Sequence, residues 1–154
     1  MSGNAFKIRP AQADDLPAIV AMLADDPLGA TREELHDPLP EAYRKAFVAI
    51  SEDPNQLLAV AERDGVVVGT LQLTFLPGIA RRGAWRGQIE AVRVAASVRG
   101  TGLGRTMVDW AIDECRRRGC TLVQLTSDAT RTDAHRFYGA LGFTPSHVGF
   151  KRAL

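Results

Sequence analysis

QIEAVRVAASVRGTGLGRTMVDWAIDEC, residues 88 to 115, changes its periodicity twice. It opens with the β-favouring apolar residues Ile89, Val92 and Val94, crosses a turn with glycine at 100, 102 and 104, and then turns helical. Leu103, Met107, Val108, Ala111, Ile112 and Cys115 recur at helical spacing, so one face of that helix is buried. A strand, a glycine loop and a helix in succession form an anion-binding device: the loop can align several N–H groups, and the helix start adds its unpaired donors and positive dipole end. A phosphate or pyrophosphate suits such a place.

Three glycine loops compete for this stretch. A dinucleotide fingerprint needs a third glycine at position 105, which is Arg, and a later acidic residue at ribose-binding distance, which is missing. A nucleoside-triphosphate loop needs Gly-Lys-Ser/Thr, whereas the chain's lysines are Lys7, Lys45 and Lys151. What remains, Arg99-Gly100-Thr101-Gly102-Leu103-Gly104, resembles the Arg/Gln-x-x-Gly-x-Gly/Ala signature of the GCN5-related N-acetyltransferases (GNAT).

Working outward, 154 residues with 45% hydrophobic content give one core, so residues 1–154 are expected to form a single domain. With 19 basic against 18 acidic side chains, nothing predicts a nucleic-acid or anionic-lipid partner. No apolar run has membrane-spanning length and the N-terminus lacks a secretory core, so the expected location is cytoplasmic. Cys115 and Cys120 have no companion ligands, and His36, His135 and His147 are scattered; no metal site is expected.

Along the chain, Ala5 to Arg9 reads as a short strand, and Asp14 or Asp15 as the cap of a helix with Leu16, Ile19, Val20 and Leu23 on one face. Asp26-Pro27-Leu28-Gly29 breaks that helix. A second helix begins near Pro40 and turns Tyr43, Phe47 and Ile50 inward. Gln56 to Glu62 and Val66 to Phe75 are strands joined by Asp64-Gly65, a strong hairpin signal. After the loop Pro77 to Gly87, a strand Gln88 to Ala95, the central helix and a strand Thr121 to Thr126 predict a right-handed parallel crossover. A helix capped by Thr132 or Asp133 and a closing strand from His147 to Ala153 complete the order. The expectation is a mixed α/β (α+β) fold: a central mixed sheet of about six or seven strands flanked by about four helices.

The resemblance extends to Asp133-Ala134-His135-Arg136-Phe137-Tyr138-Gly139-Ala140-Leu141-Gly142-Phe143, similar to the same family's second cofactor-side motif. With the tail Ser146 to Leu154, this looks most like the aminoalkylphosphonate N-acetyltransferase branch. It implies the GNAT fold and an acetyl-CoA-dependent N-acetyltransferase acting on a small-molecule amine. It also implies that Arg99, Gly100, Thr101, Gly102, Leu103, Gly104 and Arg105 hold the cofactor pyrophosphate, and that the backbone of Val92, Arg93 and Val94 meets the pantetheine arm. Tyr138 becomes the general acid for the departing thiolate and Glu90 a base acting through water, although helical spacing alone makes Tyr138 a packing residue. One departure is Arg131, where many members carry an Asn that touches the cofactor arm.

Arg81, Arg82 and Trp85, with Arg86, offer a substrate pocket for a phosphonate, phosphate or carboxylate; a contact making a homodimer is the competing reading. Two further functions stay open, a protein N-terminal or lysine acetyltransferase and a non-catalytic acyl-CoA sensor.

Overall fold

The computed structural model describes residues 5–154. Five strands lie in sequence order across one sheet: β1 (Lys7–Pro10), β2 (Gln56–Arg63), β3 (Val66–Leu76), β4 (Trp85–Val94) and β5 (Cys120–Leu125). The first four pair antiparallel and β5 runs parallel to β4. The connection between β4 and β5 is the helix α4 (Leu103–Arg117). Preceding it are α1 (Leu16–Ala24), α2 (Glu41–Glu52) and a one-turn α3 (Ala80–Gly83); α5 (Thr132–Ala140) follows β5.

The mixed α/β class expected from the sequence is therefore the one found, with five strands in place of six or seven. The expected closing strand His147 to Ala153 is not formed. Those residues are exposed and in no regular element, with Val148 79% and Phe150 93% accessible. β5 is an edge strand of the sheet, but the tail does not pair with it. The first strand also begins later than expected, at Lys7, and includes Pro10, tolerable because β1 is an edge strand.

Between β2 and β3, Asp64 (φ 53°) and Gly65 (φ 77°) both take the left-handed conformation that a two-residue type I′ turn requires. Asp15 does not cap α1. Its carboxylate accepts from Arg9 Nη1 at 2.7 Å and from the Gln12 N–H at 2.7 Å, tying β1 to the helix entrance.

One sheet face packs on α4. Leu103, Met107, Val108, Ala111 and Cys115 are buried against Ala59, Ala61, Leu71, Leu73, Phe75 and Ile89. On the opposite side α1 buries Leu16, Ile19, Val20 and Met22, while α2 lies along β2. Two glycines let α4 settle this close. A Cβ at Gly69 would lie 2.6 Å from the Met107 sulfur, and one at Gly87 would lie 2.2 Å from Cys115 Sγ. Among the described residues no helix is long and apolar enough to cross a membrane.

Gly87→Ala should therefore lower stability in urea unfolding by ~1–3 kcal/mol, the usual cost of an overpacked core. Adding Cys115→Ala should recover part of the loss, because the clash is chiefly with the sulfur.

Candidate active site

β4 and β5 are hydrogen-bonded only from Trp85/Cys120 to Ile89/Leu125. β5 then ends while β4 runs on, so Glu90 to Val94 face an open gap with no strand partner on that side. On its other side β4 carries a bulge. Gln72 pairs with Glu90 and Thr70 with Arg93, so Ala91 and Val92 together oppose Leu71. Ala91 takes φ 53°, an uncommon conformation for a residue with a Cβ, which marks local backbone strain beside the gap. Because Thr70 and Gln72 share a sheet face, their partners Arg93 and Glu90 share one as well.

The glycine loop lies at the end of this free segment. Gly100 (φ 79°) and Gly102 (φ 84°) are left-handed, and Gly102 is the N-cap of α4. The first bond of the helix is Thr106 N–H to Gly102 O at 3.1 Å, which leaves the N–H groups of Leu103, Gly104 and Arg105 ahead of it free. Thr101 Oγ1 donates back to Val98 O at 2.6 Å and closes the turn. Arg99 and Arg105 are exposed; Arg99 Nη2 donates to Asp25 Oδ2 at 3.0 Å, and Arg105 Nε sits 3.9 Å from Asp109. Beside the loop a shallow, open hollow is lined by Ala21, Met22, Ala24, Asp25, Ala95 and Ala96.

α5 comes beside the start of α4: a Cβ added to Gly104 would lie 3.4 Å from the Phe137 ring and 3.8 Å from Val94 Cγ2. Tyr138 follows, half-buried, its ring edge-on to Phe137 at 5.1 Å and to Phe143 at 5.8 Å. Burial raises its pKa, and the nearby charges of Arg93 and Arg131 offset that only in part. Tyr138 is thus a protonated donor throughout the neutral range. Glu90 is exposed on the other sheet face, its Oε1 accepting from Gln88 Nε2 at 2.8 Å. Gln124 in turn donates to Gln88 Oε1 at 3.0 Å, while Gln72 Nε2 and Thr74 Oγ1 both reach Gln56 Oε1. These side chains make a polar floor across β2 to β5.

The structure thus brings Val92, Arg93, Val94, the glycine loop, Arg131 and Tyr138 around one opening. Arg81, Arg82 and Trp85 lie elsewhere, at the far end of β4. At ~3.3 Å of rise per residue, Trp85 is ~17 Å from Glu90 along the strand. Arg81 (φ 57°) and Arg82 (φ 62°) are exposed on a left-handed turn.

Asp26 was read in the sequence only as part of a helix break. It is half-buried at the opening and accepts from Arg131 Nη2 at 3.0 Å, with Arg93 Nη2 at 3.3 Å and the Gly29 N–H at 2.5 Å. Two acidic residues before Pro-Leu-Gly, facing arginines distant in sequence, gave no local signal. Desolvation works to raise the Asp26 pKa, but the Gly29 N–H and the two arginines outweigh it and the net shift is downward.

A lowered carboxylate pKa stabilises the fold above the ordinary value of ~3.9 and loses that contribution as pH falls further. Asp26→Asn should therefore flatten the acid limb of stability below about pH 4, measured as the urea midpoint against pH.

Known proteins resemble this chain over most of its length. The model of the acetyltransferase (GNAT) family matches residues 18–143. The chain is 32% identical over 148 residues to an aminoalkylphosphonate N-acetyltransferase of Salmonella typhimurium, covering 96% of this chain and 91% of that one. It is 30% identical to a phosphinothricin N-acetyltransferase of Alcaligenes faecalis, covering 96% and 76%. A crystal structure from Bacillus halodurans C-125, described as a transcriptional regulator, is 47% identical and superimposes with a TM-score of 0.95 over 97% of this chain and 100% of that one.

Proposed function

Since the chain belongs to the acetyltransferase (GNAT) family and is an N-acetyltransferase, we propose that it moves the acetyl group of acetyl-CoA to the primary amine of a small molecule, by direct attack within a ternary complex. The observation that carries this reading is the parting of β4 from β5 after Ile89 and Leu125, with the glycine loop at one end and Tyr138 across it.

Acetyl-CoA would supply an activated acyl group as a thioester. The pyrophosphate belongs on the amides from Arg99 to Gly104, with Leu103 and Arg105 at the helix start, where α4 contributes its positive end. The backbone of Val92, Arg93 and Val94, without a strand partner on its β5 side, is suited to an amide-bearing arm laid along it like an added strand and to polarising a carbonyl beside it. Tyr138 gives its proton to the departing thiolate. Glu90, in reach of water, accepts the proton of an alkylammonium whose free pKa is ~10. Cys115 takes no part: burial pushes its thiol up to about 11, so it is a poor nucleophile. No covalent enzyme species is needed.

The relatives' acceptors, an aminoalkylphosphonate and phosphinothricin, support a small amine over a protein substrate, and the near-neutral charge gives a nucleic-acid role no support. The same reading places the protein in the cytoplasm, the compartment of its charged cosubstrate. It also pairs two copies, since Val148 and Phe150 on the tail, and Leu154 at its end, have no cover within the chain. Sedimentation should find a dimer that removal of residues 147–154 converts to monomer.

A panel of amines with acetyl-CoA, scored by thiol release, should yield turnover with small primary amines; a non-catalytic sensor would give none with any acceptor. Gly102→Val should abolish most calorimetric affinity for acetyl-CoA while circular dichroism stays folded, because valine resists φ 84°. Tyr138→Phe should keep that affinity and lower turnover roughly ten-fold or more, and equal rates would reduce Tyr138 to packing.

A further inference from the structure

Arg93 and Arg131 converge from β4 and from the residue before α5 onto a single oxygen, Asp26 Oδ2, at 3.3 and 3.0 Å. The other carboxylate oxygen of Asp26, Oδ1, accepts the Gly29 N–H. Arg93 Nη1 donates to Val92 O at 2.9 Å, yet its Nε is buried and has no partner. A buried N–H without an acceptor is unfavourable, so Arg93 Nε stands to gain from an incoming oxyanion. Arg32 brings a third guanidinium, 4.0 Å from Asp128. Three cations therefore face two carboxylates at the mouth of the gap, with Tyr138 close enough to feel the charges of Arg93 and Arg131.

The strain of this arrangement is visible in Arg93 itself. Burial works against its charge, the charge of Arg131 does so next, and Asp26 compensates only partly. One more anion would relieve both effects. Glu90, the proposed base, lies across the bulge on the same sheet face as Arg93.

We propose that Arg93 and Arg131 form the subsite that holds the acid group of the acceptor, a phosphonate, phosphate or carboxylate borne by the amine, with Asp26 as the internal carboxylate that competes with it for the two guanidiniums. Guanidinium forks bind such oxyanions through paired hydrogen bonds, and at this position they set the amine beside Glu90 and Tyr138. The subsite rests on the small-amine reading above. It moves acid recognition from Arg81 and Arg82, at the far end of β4, to the opening itself.

The test uses the full-length protein, acetyl-CoA, and two acceptors matched in size, an aminoalkylphosphonate and the corresponding neutral amine. Arg131→Gln and Arg93→Gln should each raise the ratio of KM for the acidic amine to KM for the neutral one ten-fold or more. An unchanged ratio overturns the subsite, as does a rise in KM for acetyl-CoA alone, which would give these arginines to a cofactor phosphate. Calorimetric titration with methylphosphonate reads the subsite without any turnover, so it separates a failed subsite from a failed enzymatic reading. Binding should be detectable in wild type and lost in Arg131→Gln. Asp26→Asn removes the competing carboxylate and should tighten methylphosphonate several-fold, a gain that mere loosening of the site cannot produce. Weakening in both variants would show that the cluster is structural and overturn the proposal.

Discussion

The pairing between β4 and β5 stops at Ile89 and Leu125, and most of the functional architecture answers to that stop. Backbone N–H and C=O groups inside a sheet are normally all paired, so a central strand with one free side is a standing demand for a hydrogen-bonding partner. α4 packs its buried stripe on the sheet, and Phe137 and Val94 both pack against that core beside Gly104. The bulge at Ala91 and Val92 adds local twist and turns Arg93 onto the same face as Glu90.

Charge at this opening is arranged by the same geometry. Asp26 enters from the loop after α1, Arg93 from the sheet and Arg131 from the turn before α5, three segments that come together only because the strands part there. The hydrogen bonds among them link the two layers on either side of the gap. Tyr138 stays protonated because its burial outweighs these cations. Asp26 stays ionised because the Gly29 N–H and the two arginines outweigh its desolvation, so one set of charges acts on both groups.

Much of this could be read from the chain because it depends on local rules. The glycine spacing from 100 to 104, the Asp64-Gly65 turn and the helical stripe from Leu103 to Cys115 are each set within a few residues, and each is found where expected. The tail shows the opposite case. His147 to Ala153 has the composition of a strand, but a strand needs a neighbour, and no sequence pattern states whether the tail pairs with a sheet edge. Asp15 likewise occupies a capping position while its carboxylate is drawn to Arg9 on β1. Ala91 carries no sign of its left-handed backbone, which the bulge imposes from outside. The Asp26 cluster joins residues separated by 67 and 105 positions, beyond any periodicity argument.

The close seating of Cys115 against Gly87 has a chemical consequence of its own. With its sulfur sealed between helix and sheet and its thiol held at about 11, Cys115 has almost no thiolate at neutral pH, and Cys120 beside it is also shifted upward. Both sulfurs are therefore poor nucleophiles at neutral pH, and oxidants or electrophiles that act on thiolates find little of that form here.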